Sequence, residues 1–262
     1  MTVSNKIILP KSDKAVLITG ASRGIGKQLA FECARRGFHI MLCARNAELL
    51  ETNCAEINEH GGDARFIICD VTNDEEMNRA ITFTLDTFGR IDIAILNAGV
   101  GGSNRFSNFD QDSFDKVLTT NVTSVIHGLS LLVPVMKRQG TGTIACIGSL
   151  ADTRAIPGNG PYIASKAALH VLLEAAAIEL NPLGIKVITV RPGFIATDLN
   201  SQNKAWLPML MKSERAAKII VNGILKGRLI ISFPLPMAAL SAISKMIPSF
   251  IWRYIFRVKD DQ

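Results

Sequence analysis

Three observations predict an α/β fold, a doubly wound parallel sheet formed by a single domain. Short runs rich in β-branched residues alternate with helical-period stretches from Lys14 to about Phe233. Segments such as Val16-Leu17-Ile18 and Ile93-Ala94-Ile95-Leu96 are apolar throughout, as strands covered by helices on both faces must be. With 262 residues, 48% hydrophobic and 20% charged, the chain has enough apolar mass for one well-cored domain. At that size a domain buries roughly three quarters of the surface its unfolded chain exposes, so no disulfide or structural metal is needed.

The elements follow in order. A strand-length apolar run, 15–19, opens directly into a glycine turn and a helix at 24–36. Strands at 39–44, 64–69, 91–97, 143–149, 186–191 and 229–233 alternate with helical patterns at 46–60, 73–88, 110–138, 162–180 and 213–226. Right-handed crossovers then put the ligand crevice beyond the carboxyl ends of the strands. Residues 1–233 form this domain, and 234–262 form an apolar helical C-terminal extension.

Composition excludes several functions. Cys33, Cys43, Cys54, Cys69 and Cys146 have no Cys-x-x-Cys spacing, so they make neither a zinc site nor a redox pair, and no metal is expected. They read as buried thiols in a reducing compartment. Residues 1–10 lack the apolar core and cleavage site of a secretory signal, so the cytoplasm is expected. The net charge is +6, but the segment 215–259 holds eight basic and no acidic residues, leaving 21 basic against 23 acidic elsewhere. The positive charge belongs to the tail, and nucleic acid is not an expected partner.

The turn after the first strand reads Thr19-Gly20-Ala21-Ser22-Arg23-Gly24-Ile25-Gly26. Glycines there let the backbone approach a pyrophosphate, whose charge the amides of the next helix meet. The second strand ends Cys43-Ala44-Arg45-Asn46, without the carboxylate that commonly holds the ribose 2′-hydroxyl of NAD. Arg45 and Arg23 instead suit the 2′-phosphate of NADP(H). Farther along, Tyr162 and Lys166 share one helix face, and Ser149 ends the preceding strand at the carboxyl edge of the sheet.

With those residues in place, the chain resembles the short-chain dehydrogenase/reductase family over about residues 14–233. The glycine turn matches the family's Thr-Gly-x3-Gly-x-Gly, and Asp70-Val71 stands where the family places an Asp against the adenine amino group. Asn97-Ala98-Gly99 matches a motif that lines the cofactor, although Leu96 stands where many members carry a second Asn. Asn121, Ser149, Tyr162 and Lys166 match the catalytic set, and Arg191-Pro192-Gly193 with Thr197 matches the turn beside the nicotinamide. The resemblance implies a Rossmann-type fold, and a dimer or tetramer.

It also implies roles. Tyr162 would be the general acid or base, its pKa of about 10 lowered by the Lys166 cation. Ser149 would hold the substrate oxygen, Lys166 the nicotinamide ribose, and Asn121 a water that links Lys166 to solvent. His39, His60, His127 and His170 have no ligand spacing, and Asp198 reads as a helix cap.

Phe194, Ile195, Leu199, Trp206, Leu207, Met209, Leu210 and Met211 follow the sixth strand and carry no charge. They read either as a flap over an apolar ketone or secondary alcohol, or as core and subunit packing. The tail admits two readings. Pro234, Pro236, Pro248 and Lys245 divide it into two short helices, with Trp252 and Tyr254 suited to a lipid boundary and basic residues to anionic head groups. Alternatively, the helices cover the substrate entrance or make a dimer contact. The leading expectation is an NADP(H)-dependent carbonyl reductase or alcohol dehydrogenase. The alternatives are a non-catalytic NADP(H)-binding sensor or scaffold and a membrane-surface binding module.

Overall fold

A computed structural model describes residues 12–197 and 209–257. Its seven-stranded sheet is parallel throughout, in the order β3-β2-β1-β4-β5-β6-β9. The strands are β1 (Ala15–Thr19), β2 (His39–Ala44), β3 (Asp63–Ile68), β4 (Ile93–Leu96), β5 (Gly142–Ile147), β6 (Ile185–Pro192) and β9 (Ile230–Phe233). β7 (Ile195–Ala196) and β8 (Met211–Lys212) form a small separate pair. The strand order reverses between β1 and β4, which opens a crevice at their carboxyl ends.

Helices cover both faces. α1 (Gly24–Arg35), α2 (Ala47–Glu59) and α7 (Ser213–Leu225) enclose one apolar cluster with Val16, Ile18, Ile40 and Leu42. α3 (Asp74–Phe88), α5 (Ser124–Gln139) and α6 (Gly160–Leu180) enclose the other with Leu17, Met41, Ala94 and Ile144. Adjacent strand residues thus feed opposite cores, the reason the strands read as unbroken apolar runs. Local chemistry sets the helix starts. Asn46 and Asn73 accept hydrogen bonds from first-turn amides of α2 and α3, and Asp110 does the same for α4 (Gln111–Leu118).

Three boundaries differ from expectation for identifiable reasons. The helix expected at 110–138 contains a π-helical turn at Thr119–Thr123, between α4 and α5. The strand expected from residue 91 begins at Ile93, because the buried Asp92 carboxylate accepts from the Ala15 amide (2.9 Å) and from Arg90 (2.7 and 2.9 Å). β5 stops at Ile147, so Ser149 does not end the strand. It caps a 3-10 turn, Leu150–Asp152, accepting from the Ala151 amide at 3.0 Å. The extension forms α8 (Leu235–Ser244) and α9 (Ser249–Ile255), as the prolines require.

Leu132 is fully buried in α5 against the sheet. Leu132→Ala is expected to cost about 2–5 kcal/mol of stability by loss of burial and a residual cavity. Urea unfolding measures this, and a loss below about 1 kcal/mol would mean that α5 does not seat on the sheet as described.

Candidate active site

The glycine turn is a cradle whose shape depends on missing side chains. Gly20 and Gly24 adopt φ of 65° and 58°, which an L side chain resists. At Gly26 a Cβ would lie 2.1 Å from the Gly20 carbonyl oxygen and 2.6 Å from Asn97 Nδ2. Asn97 anchors the turn, donating through Nδ2 to the carbonyls of Thr19 (2.9 Å) and Gly20 (3.2 Å). The Thr19 hydroxyl in turn accepts from the amides of Asn97 and Ala98, at 3.0 and 3.1 Å. No side-chain hydrogen bond caps α1, whose first residue is Gly24, which leaves its leading amides able to donate to an anion. A Cβ on Gly24 would meet Thr197 Cγ2 at 3.3 Å, so the turn after β6 reaches the same cradle.

At the end of β2, Arg45 is exposed, and its Nη1 lies 3.5 Å from Asp70 Oδ2. Asp70 is held mainly by Thr72, whose amide and hydroxyl donate to Oδ1 at 3.0 and 2.8 Å. Burial acts to raise the Asp70 carboxyl, but these bonds and the Arg45 charge outweigh it and hold it below its ordinary value. Arg23, also exposed, precedes α1. The cradle without Cβ atoms and the cationic residue at the β2 end both fit a dinucleotide. Of the other expected contacts, Ser22 lies in the glycine turn, Ile25 in the first turn of α1, Val71 after β3 and Gly99 after β4, while Pro192 ends β6 and Gly193 follows it.

The chemical residues converge at the carboxyl ends of β4 and β5. Tyr162 and Lys166 lie in the first two turns of α6. The Ser149 side chain lies close enough to the Tyr162 hydroxyl to lower its pKa. Lys166 Nζ donates to the Ile147 carbonyl at 2.9 Å and sits 5.6 Å from the centre of the Tyr162 ring. Asn121, in the π-helical turn, is fully buried. It accepts from the Val100 amide (2.8 Å) and donates to the Val100 carbonyl and to Ser165 Oγ, both at 3.0 Å. A Cβ on Gly99 would lie 3.2 Å from Asn121 Oδ1 and 3.6 Å from Lys166 Nζ, so the turn after β4 has no spare room.

The electrostatics correct one expectation. Burial drives Lys166 down from 10.5 to about 8, opposed by Cys146. Burial also raises the Tyr162 hydroxyl; the neighbouring Ser149 side chain pulls it back and the Asp152 carboxylate raises it further. Lys166 therefore does not depress Tyr162 in this state. Its ammonium is directed at the Ile147 carbonyl, and its own charge is disfavoured by burial.

Several residues around the site carry no linear signal. The buried Asn53, on α2, donates to the carbonyls of Ala21 (3.3 Å) and Ser22 (2.9 Å) and supports the glycine turn from below. Asp152 is buried and clamped by Arg191, Nε and Nη2 donating at 2.7 and 2.6 Å, with His170 Nδ1 at 3.8 Å. Phe106 is exposed, stacks on Phe109, and would meet a Cβ on Gly160, two residues before Tyr162, at 3.3 Å. The flap expectation changes as well. Ile195 and Met211 are buried core residues on β7 and β8, whereas Met209 and Leu210 are exposed. Asp198, Leu199, Trp206 and Leu207 lie outside the described residues.

The depressed Lys166 pKa has a consequence for stability. Below pH 8 the lysine is charged in both folded and unfolded chains and its burial cost is fully present. Between pH 8 and 10.5 the unfolded chain binds the extra proton, so the cost is relieved as pH rises. Relative to Lys166→Met, the wild-type protein is expected to gain up to about 3 kcal/mol across that window. Urea unfolding of both proteins at pH 7 and pH 10 checks it; a difference independent of pH would show that Lys166 titrates at its ordinary value.

Comparison with known proteins agrees with this geometry. Residues 14–208 match the family model described as short chain dehydrogenase. An uncharacterized oxidoreductase of Myxococcus xanthus is 30% identical over 238 residues, 91% of this chain and 94% of that protein. A cyclopentanol dehydrogenase of Comamonas testosteroni is 31% identical over 217 residues, 83% of this chain and 84% of its own length. Among solved structures, an alcohol dehydrogenase of the archaeon Thermococcus sibiricus, complexed with 5-hydroxy-NADP, superposes with a TM-score of 0.76 at 28% identity, covering 84% of this chain and 95% of that one. Sequence, sheet order and site agree that the chain belongs to the short-chain dehydrogenase family, as an oxidoreductase of CH–OH and C=O groups.

Proposed function

We propose that this chain is an NADP(H)-dependent carbonyl reductase or alcohol dehydrogenase that acts on apolar ketones and secondary alcohols. The observation that carries the reading is the convergence of Ser149, Tyr162 and Lys166 at the carboxyl edge of the sheet, with the Lys166 ammonium 5.6 Å from the centre of the Tyr162 ring and anchored on the Ile147 carbonyl. The dinucleotide, when bound, supplies or accepts the hydride.

The chain's own residues do the rest. Ser149 holds the substrate oxygen by a hydrogen bond, which orients it and polarises the carbonyl. Tyr162 hands its hydroxyl proton to that oxygen during reduction and takes it back during oxidation. Lys166 meets the tyrosinate that proton loss creates, and its pKa of about 8 lets it exchange protons near neutral pH. Asn121 fixes the segment after β4 against α6, keeping Lys166 in register with Tyr162. Gly20, Gly24 and Gly26 admit the pyrophosphate, and Arg45 with Arg23 meets the 2′-phosphate.

Exposed apolar side chains around the site, Phe106, Phe109, Ile156 and Leu210, support an apolar substrate over a sugar or an acid. Exposed Ile126, Val171 and Ile178 on α5 and α6 support assembly into a dimer or tetramer. Five buried free thiols suit the cytoplasm; burial pushes Cys33 and Cys146 to about 12, which makes them unreactive.

Two tests follow. NADPH oxidation is expected with a panel of apolar ketones, and Tyr162→Phe should remove nearly all turnover while dinucleotide binding and folding persist. Retention of most of the rate would place the proton donor elsewhere. Titration should show NADPH bound about tenfold to a hundredfold more tightly than NADH, with the preference reduced in Arg45→Ala. Equal dissociation constants would remove the phosphate assignment.

A further inference from the structure

We propose that α8 and α9 form a docking surface for an anionic lipid bilayer. The inward side of the pair is already occupied by the loop that follows Ser149. Ser241 Oγ donates to the Leu150 carbonyl (2.9 Å) and lies 3.1 Å from Thr153 Oγ1. Arg154 donates to the carbonyls of Ser244, at 2.9 Å, and Ile247, and its guanidinium stacks 5.2 Å from the centre of the Trp252 ring. Trp252 Nε1 donates to the Ala155 carbonyl at 2.7 Å. This corrects the expectation that Trp252 sits at a lipid boundary, since its ring and donor are turned toward the domain.

The outward side has no partner within the described chain, yet it is the more apolar one. Neither helix contains a single buried residue. Leu235 is 77% exposed, Met246 82%, Phe250 74% and Tyr254 78%, with Leu240 and Ile243 more than half exposed. Polar surface helices do not look like this. The charges on the pair and its flanks are Lys245, Arg253 and Arg257, all exposed, and no ion pair engages them among the described residues. No acidic residue occurs between 234 and 257; Asp260 and Asp261 come only at the chain end.

That composition selects the occupant. A second copy meeting this patch across a two-fold axis would set the same cations against themselves, with no carboxylate on either side. Anionic head groups supply the missing charge while the acyl boundary takes the apolar side chains. A spanning arrangement does not fit, because the helices turn by 117° at their junction. Ten and seven residues rise only about 15 and 10 Å, against a hydrocarbon core of about 30 Å. The pair therefore lies in the interface, with Tyr254 at head-group depth.

Sedimentation of the full chain with vesicles tests this independently of catalysis. The protein is expected to pellet with phosphatidylglycerol–phosphatidylcholine vesicles at low salt, and to be released as ionic strength rises. Arg253→Gln should weaken binding about fivefold. The double variant Phe250→Glu, Tyr254→Glu should weaken it by more than about tenfold, with unchanged circular dichroism because both side chains point outward. Full-length protein that stays in the supernatant with anionic vesicles at low salt overturns the proposal, as does unchanged binding by the double variant. Light scattering provides the other arm: a dimer that dissociates in the double variant, while wild type ignores vesicles, would assign the face to a second copy.

Discussion

All six neighbouring strand pairs of the main sheet run parallel, so every strand delivers its carboxyl end to one edge. The order of strands reverses between β1 and β4, and the helices on either side of that reversal depart in opposite directions. The space this leaves can be closed only by short turns. Thr19 and Asn97, at the ends of these two neighbouring strands, hydrogen-bond across it and hold those turns together. The glycine cradle, the turn after β4 and the beginning of the catalytic cluster all take their positions from this one junction.

Function at that edge requires polar groups inside a core that otherwise excludes them. Asn121, Ser165, Lys166 and Asp152 are buried, and each is satisfied by a named partner rather than by solvent. The arrangement is selective. The amide of Asn121 and the carboxylate of Asp152 find complete partners, whereas Lys166 keeps a charge that burial opposes. A group held near its titration point by that opposition can exchange protons, which a fully neutralised ion pair could not do as readily. The π-helical turn belongs to the same economy, because the extra residue swings Asn121 inward between β4 and α6.

The C-terminal extension is part of this edge as well. Through Ser241, Ser244, Ile247 and Trp252 it grips the loop that begins at Ser149, chiefly through the backbone carbonyls of both partners. Met237 occupies the space at Gly193 where a side chain would clash, a Cβ there lying 2.4 Å from its sulfur. Loop and helices are therefore joined by hydrogen bonds and by side-chain packing.

The fold and most of the site were legible in the sequence because both rest on local or periodic signals. Apolar runs of strand length, glycines immediately after the first of them, and a Tyr and Lys four residues apart on a helix are properties of short segments. They placed β1 and β2 at their observed limits and brought Tyr162, Lys166 and Ser149 to one edge. What tertiary structure alone decided involves partners far apart in the chain. Asn53 supports a turn more than thirty residues earlier, Arg191 clamps Asp152 across 39 residues, and Trp252 reaches Ala155 across 97. The direction of the Lys166 ammonium depends on which carbonyl ends β5, and the titration of Tyr162 on burial and on the neighbouring Ser149 and Asp152. Residue spacing states which groups can share a face; the dielectric around them, and the side on which an indole is spent, exist only after the chain has packed.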